Sequence, residues 1–149
     1  GSIDCIWNGF TITDERINSM SFTPAYLNND QVLVVRAKSG IKTLADAKGI
    51  TVACQAGSSA EEAINDKKEF ADSLKAVVYY EENLTALTDL KVGSVDGVVM
   101  DSIVARYMIS TTKDDSLVVC NRTFCSSMVV NSEYGIHIHL SDANYYYCL

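Results

Sequence analysis

The chain predicts an α/β protein whose centre is a parallel sheet, and three observations say so. Short β-branched runs at residues 31–36, 51–54, 76–80 and 95–100 alternate with helix-patterned stretches. Capping residues and glycines fall at the joints between them. Of the 149 residues, 48% are hydrophobic and 21% charged, enough to bury a core in one domain or two small lobes.

The elements follow in order. In residues 8–16 (NGFTITDER) Thr13 can cap a helix whose first turn holds Asp14 and Glu15, both favourable against the helix dipole. Pro24 sits in a turn before the apolar strand 31–36 (QVLVVR). Thr43 caps a short helix that Gly49 ends, and 51–54 (TVAC) is the next strand. The turn Gly57-Ser58-Ser59 opens a helix over 60–70, where Ser58 with Glu61 and Ser59 with Glu62 both have capping-box spacing. Residues 76–80 (AVVYY) form a strand. Asn83 caps a helix whose Leu84, Leu87 and Leu90 share one face, with Gly93 just past its end. Residues 95–100 make a short buried strand, and Asp101-Ser102 begins a helix to about residue 109. Residues 117–119, 128–130 and 135–139 look like further short strands.

Charge and cysteine usage exclude several classes. A net charge of −7 without a dense Lys/Arg block argues against nucleic acid, whose affinity rests on neutralising phosphates. No apolar run is long enough to span a bilayer, and no signal peptide opens the chain. Five cysteines leave at least one without an intrachain partner. Cys5 and Cys54 fall in buried strands, whereas Cys120, Cys125 and Cys148 lie in the less regular C-terminal third, where an oxidising compartment would allow a disulfide. No CxxC pair signals zinc or thiol redox chemistry. His137 and His139 alternate on one strand face but have no third ligand nearby in sequence, so neither metal nor cofactor is expected.

Three places put polar groups at strand ends or helix starts, where open α/β sheets bind ligands. Arg16 sits in the first turn of a helix, where a cation gains nothing from the dipole. Its planar fork fits a carboxylate, the alternative being a solvated surface arginine. Residues 55–59 (QAGSS) offer backbone N–H groups at a helix start, either as an anion nest or as an ordinary capped turn. The loop lacks the GK[ST] ending of a P-loop, which disfavours nucleotide phosphate. Asp101, ending an apolar strand, could pair with an ammonium or act as a plain N-cap. An arginine, an anion nest and a carboxylate together suit a zwitterion.

On these residues the chain resembles the polar amino-acid-binding proteins of bacterial ABC importers. IDCIWNGFTITDER followed by FTPAY looks like their first-lobe motif, and QAGSSAEE like their second-lobe helix start. NLTALTDLKVGSVDGVVMDSIVARY looks like the segment carrying the ammonium-binding aspartate, and SEYGIHIH like the return strand. The resemblance touches most of residues 3–140. It implies a type II periplasmic-binding-protein-like fold, with one complete parallel-sheet lobe at 31–128 and an incomplete first lobe made of residues 1–30 and the return segment 129–149.

Carried over by position, the resemblance assigns Arg16 to the ligand's α-carboxylate. Thr11 would serve both ends of the ligand, and the Gly9 carbonyl and Asp101 would accept from the α-ammonium. Ser59 would donate its backbone N–H from the second lobe, while Gln55 and Ser58 would touch the ligand side chain or close the lobes. The expected function is a solute-binding component rather than an enzyme, periplasmic or extracellular, with an amino acid and ABC transporter membrane subunits as partners. Alternatives are a ligand-free assembly module and a dehydratase-like enzyme on the same scaffold.

The chain departs from the family in having no counterpart for the early first-lobe elements that supply aromatic walls, nor for the closing helices. Three outcomes stay open: a fragment of a longer protein, a chain completed by a partner or as a homodimer by segment exchange, or a remnant. Weak or absent binding by the isolated monomer is therefore expected. Trp7 is expected in a core, and Tyr145, Tyr146 and Tyr147 against a partner or a core edge.

Overall fold

A computed structural model describes residues 5–6, 10–25, 27–112, 115–120, 132–134 and 137–138. In chain order its strands and helices are β1 (Cys5–Ile6), α1 (Asp14–Ile17), β2 (Ser21–Phe22), β3 (Leu27–Asn29), β4 (Gln31–Arg36), β5 (Thr51–Gln55), α2 (Ser59–Asp66), α3 (Lys68–Ser73), β6 (Ala76–Tyr80), α4 (Asn83–Val92), β7 (Gly97–Asp101), α5 (Ser102–Thr112), β8 (Leu117–Val119), β9 (Ser132–Tyr134) and β10 (His137–Ile138). Two 3-10 turns, Ala37–Ser39 and Leu44–Ala47, join β4 to β5. None of the described helices is long and apolar enough to cross a membrane. The chain divides into two compact units, Gly1–Asn29 with Asn131–Leu149 and Asp30–Val130.

The first unit is built from short antiparallel pairings. β10 lies between β1 and β2, and β3 pairs with β9 through Leu27 opposite Tyr134. The return segment thus hydrogen-bonds the strands that flank the NGFTITDER run. Trp7, Cys125, His139, Tyr145, Tyr146, Tyr147, Cys148 and the strand expected at 128–130 lie outside the described residues.

The second unit holds a five-stranded sheet in the order β6-β5-β7-β4-β8. β5 runs parallel to β6 and to β7, as the alternating rhythm implies. β4 does not follow the expected parallel pattern, since it pairs antiparallel with both β7 and β8. It precedes the first strand–helix–strand crossover and slots between β7 and β8, which α5 joins in one direction. The sheet is therefore mixed, and its parallel strands are those linked by helices.

Side chains alternate across this sheet with a period of two, so one strand feeds two cores. Val32, Val34, Ala53, Val98 and Met100 pack with Ala86, Leu87 and Leu90 of α4 and Ala105 of α5. Leu33, Val35, Val52, Cys54 and Val99 pack with Ala60 and Ile64 of α2 and Phe70 of α3. Helices on both faces explain why the strands are apolar throughout rather than alternating with polar residues.

Local chemistry sets the boundaries. Thr43 and Asp46 form a reciprocal capping box, though the helix it opens is a single 3-10 turn. The stretch expected as one helix over 60–70 is two. Lys67, at φ −91° and ψ 68°, leaves the helical region after Asn65-Asp66, and the new axis of α3 buries Phe70. Gly93 closes α4 in the left-handed region at φ 88°. Asn83 is the first helical residue of α4 rather than its cap, since Glu82 holds the cap position. Leu84 does not share the buried face. It is 60% exposed while Leu87 and Leu90 are buried, because each step of three falls about 60° short of a full turn and the drift accumulates. Asp101 ends β7, and α5 begins at Ser102.

Two polar ties fix the helices to the sheet. Arg36 donates to the carbonyls of Leu90 at 2.8 Å and Val95 at 2.6 Å, and pairs with Asp96 at 3.1 Å. Asp96 in turn accepts from the Thr51 N–H. A guanidinium at the C-terminal carbonyls of α4 complements the helix dipole. The Tyr80 hydroxyl donates to Asp89 at 2.5 Å, which holds the phenol above its ordinary pKa and links β6 to α4.

Both described cysteine side chains, Cys54 and Cys120, are free and buried. A disulfide at Cys120 is thus not formed; its thiol faces the Ile41 carbonyl at 3.9 Å, inside the core under β4. Burial, with a smaller contribution from the Glu61 charge, pushes the Cys54 thiol up to about 12. Burial also raises Cys120. An unfolded thiol titrates near 9.0, so the stability from keeping Cys54 neutral is complete below pH 9 and is lost as pH rises towards about 12. Native Cys54 and Cys120 are expected to resist iodoacetamide at pH 8 and to react once urea unfolds the chain. Mass mapping that found both labelled at an open thiol's rate in the native state would refute this.

Candidate functional site

The first unit places two of the expected residues together. Thr13 caps the single turn α1 by accepting from the Arg16 N–H at 3.4 Å, which sets where the arginine side chain starts. The guanidinium then donates to the Thr11 carbonyl at 2.9 Å and lies 4.3 Å from the centroid of the Phe10 ring. Phe10 stacks on Phe22 with centroids 6.2 Å apart, so the cation rests on an aromatic pair that is itself buttressed. Thr11 is 2% exposed. Arg16 is an anchored, oriented cation rather than a solvated one. Gly9 lies outside the described residues.

The second unit gathers the other four at the carboxyl ends of its parallel strands. Gln55 ends β5 and Asp101 ends β7, and the two strands run the same way. Chain reversal brings the start of antiparallel β4 to the same end, with Gln31 opposite Asp101 in the register. The Gln31 amide donates to the Asp101 carboxylate at 2.5 Å and to the Ser59 hydroxyl at 3.1 Å. One buried amide thus joins the expected ammonium acceptor to the first residue of α2.

The loop before α2 is ordered by its own polar groups. Gly57 turns the chain at φ 66°, and its N–H donates to the Glu61 carboxylate at 2.8 Å. Ser58 caps α2, accepting from the Glu61 N–H, and its hydroxyl donates to the Gln55 carbonyl at 2.6 Å. The Gln55 side chain reaches across to the next loop, donating to the Glu81 carbonyl at 2.8 Å and accepting from Asn83 at 3.2 Å. Gln55 and Ser58 therefore brace the strand ends, while Ser59 and Asp101 sit beside Gln31. Of the Ser–Glu pairs with capping-box spacing, Ser58 accepts from the Glu61 N–H at the helix start, while the Glu61 carboxylate reaches Gly57 rather than Ser58.

Two side-chain oxygens in this region are buried without a hydrogen-bond partner, Oε1 of Gln31 and Oδ1 of Asn83. A buried acceptor left unmet costs about 1–3 kcal/mol, so each marks a place where a donor would be welcome. Sequence reasoning missed both roles. The signal for Gln31 was present, a polar residue opening an otherwise apolar strand, but its meaning depended on a register with Asp101 seventy positions away. Among the described residues no three His, Cys, Asp or Glu side chains converge as a metal site.

Comparison with known proteins follows from this geometry. The profile of the bacterial extracellular solute-binding proteins, family 3, matches residues 1–135. The L-cystine-binding protein TcyJ of Escherichia coli K12 is 33% identical over 124 residues, 82% of this chain and 45% of that protein. The ABC transporter arginine-binding protein 1 of the same organism is 32% identical over 108 residues, 72% of this chain and 42% of its own length. An ABC uptake transporter substrate-binding protein from Streptococcus pneumoniae, solved with bound histidine, superposes with a TM-score of 0.82 at 31% identity, covering 93% of this chain and 56% of that one. This chain spans about half the length of the relatives it matches. Those relatives are solute-binding proteins, not enzymes.

Proposed function

Because the chain belongs to the bacterial extracellular solute-binding proteins of family 3, we propose that it contributes to capturing an amino acid for an ABC importer. Asp101 takes the α-ammonium, and the Ser59 N–H takes the α-carboxylate together with Arg16 and the Thr11 N–H; the Gly9 carbonyl and Thr11 hydroxyl complete the ammonium's partners. Gln55 and Ser58 act by bracing the strand ends. The observation that carries the reading is the joining of Asp101 and Ser59 through Gln31, where the parallel strands end. A buried zwitterion needs each charge paired and hydrogen-bonded, and these residue types supply both signs. The protein acts outside the cytoplasm, in the periplasm or at the cell surface, with transporter membrane subunits as partners. Nucleic acid is no part of the reading.

The test is an NMR titration of the 149-residue chain with L-arginine, L-glutamine, L-histidine and L-cystine, each taken as high as solubility allows. Saturable millimolar binding of at least one, about 4 kcal/mol, is expected. Silence across all four in the segment-exchanged dimer as well as in the monomer would sink the receptor reading and favour an assembly module. The mass in solution decides between a monomer and a homodimer that exchanges segments.

A further inference from the structure

We infer that Gln31 is a positioning residue of the amino-acid site, holding the Asp101 carboxylate and the first turn of α2 in one arrangement; this rests on the proposed receptor function. Gln31 is 3% exposed, yet only half of its amide is used. The NH2 group donates to Asp101 and to Ser59, while Oε1 meets no donor. A glutamine kept only for stability would be replaceable at little cost by an apolar residue of similar volume, since the unmet acceptor goes and the two stranded acceptors, Asp101 and Ser59, are part-exposed and can turn to water. What an apolar residue cannot do is hold a carboxylate.

The Gln31 amide bond takes one of the roughly four lone-pair sites of the carboxylate and orients it. Ser59 receives the second N–H of the same amide, so the group that offers an N–H to a carboxylate and the group that receives an ammonium keep a constant spacing. Both ends of a small zwitterion are then read against one ruler.

Gln31→Met removes both donors while nearly conserving volume. Binding of whichever of the four amino acids the wild-type chain takes up is expected to weaken about three- to tenfold, the scale of one side chain losing its pre-set orientation. The thermal midpoint is expected to hold. In the absence of ligand, Asp101→Asn and Ser59→Ala are each expected to shift the Gln31 side-chain amide signals from their wild-type positions. Unchanged affinity in Gln31→Met, a fall in affinity matched by a lowered midpoint, or amide signals indifferent to both substitutions would overturn the positioning role alone. A wild-type chain that binds none of the four, as monomer or as dimer, would remove this role and the receptor reading together.

Discussion

Asp101→Asn is expected to weaken amino-acid binding about thirtyfold while leaving the fold intact. The amide is isosteric and Asp101 is only partly buried, so the change removes charge without opening a cavity. Losing one partner of a desolvated charge pair costs about 2–5 kcal/mol, and the lower end applies to a half-exposed group. The sharper form of the prediction uses two truncated ligands. Asp101→Asn should leave binding of the matching acid without its α-amine unchanged, whereas Arg16→Met should spare the matching amine that lacks its carboxylate. Because Arg16 also braces the Thr11 carbonyl and lies on Phe10, its variant is read only alongside a thermal midpoint. Equal losses for both ligands in both variants would show that neither charge reads a particular end.

The largest stability effect is expected where β4 and β7 meet. Leu33 is fully buried, and a Cβ at Gly97 would come within 2.8 Å of its Cδ1. Leu33→Ala should cost about 3 kcal/mol through lost burial and the cavity left behind. Gly97→Ala should cost about 1–2 kcal/mol through overpacking, with Ile50 at 3.6 Å and the Val34 carbonyl at 3.5 Å limiting escape. The double variant is the diagnostic one. Its added methyl enters space that the shortened side chain vacates, so the combined cost should fall below the sum by about 1 kcal/mol. Urea unfolding measures all four chains, and strict additivity would mean that the two positions do not share that space.

The pattern of what could be read in advance follows the range of each interaction. Thr13, Thr43 and Ser58 were legible as caps, and Gly93 as a terminator, because each acts within four residues of itself. The parallel strands were legible because a helix between two strands forces that direction. The antiparallel setting of β4 was not, since nothing near residues 31–36 records which neighbours it will meet. Leu84 failed for a different reason, a spacing of three counted as a face without its angular drift. Arg16 and Asp101 were singled out because a cation is unusual at a helix start and a carboxylate at the end of an apolar strand, and Ser59 through the family resemblance alone. Gln31 and Arg36 escaped because their partners lie more than fifty positions downstream along the chain or, for Ser59, on a separate element.

The central place of β4 has a consequence for how the chain is made. Val34 meets Val98 on one side and Val119 on the other, so the strand leaves the ribosome long before either neighbour exists. Until then an almost wholly apolar ribbon presents two unsatisfied hydrogen-bonding edges, the kind of surface that nascent chains stick together by. Both edges are met only once β8 has been made, and such distant closures are slow. Until both neighbours are made, β4 is the strand most open to wrong pairing.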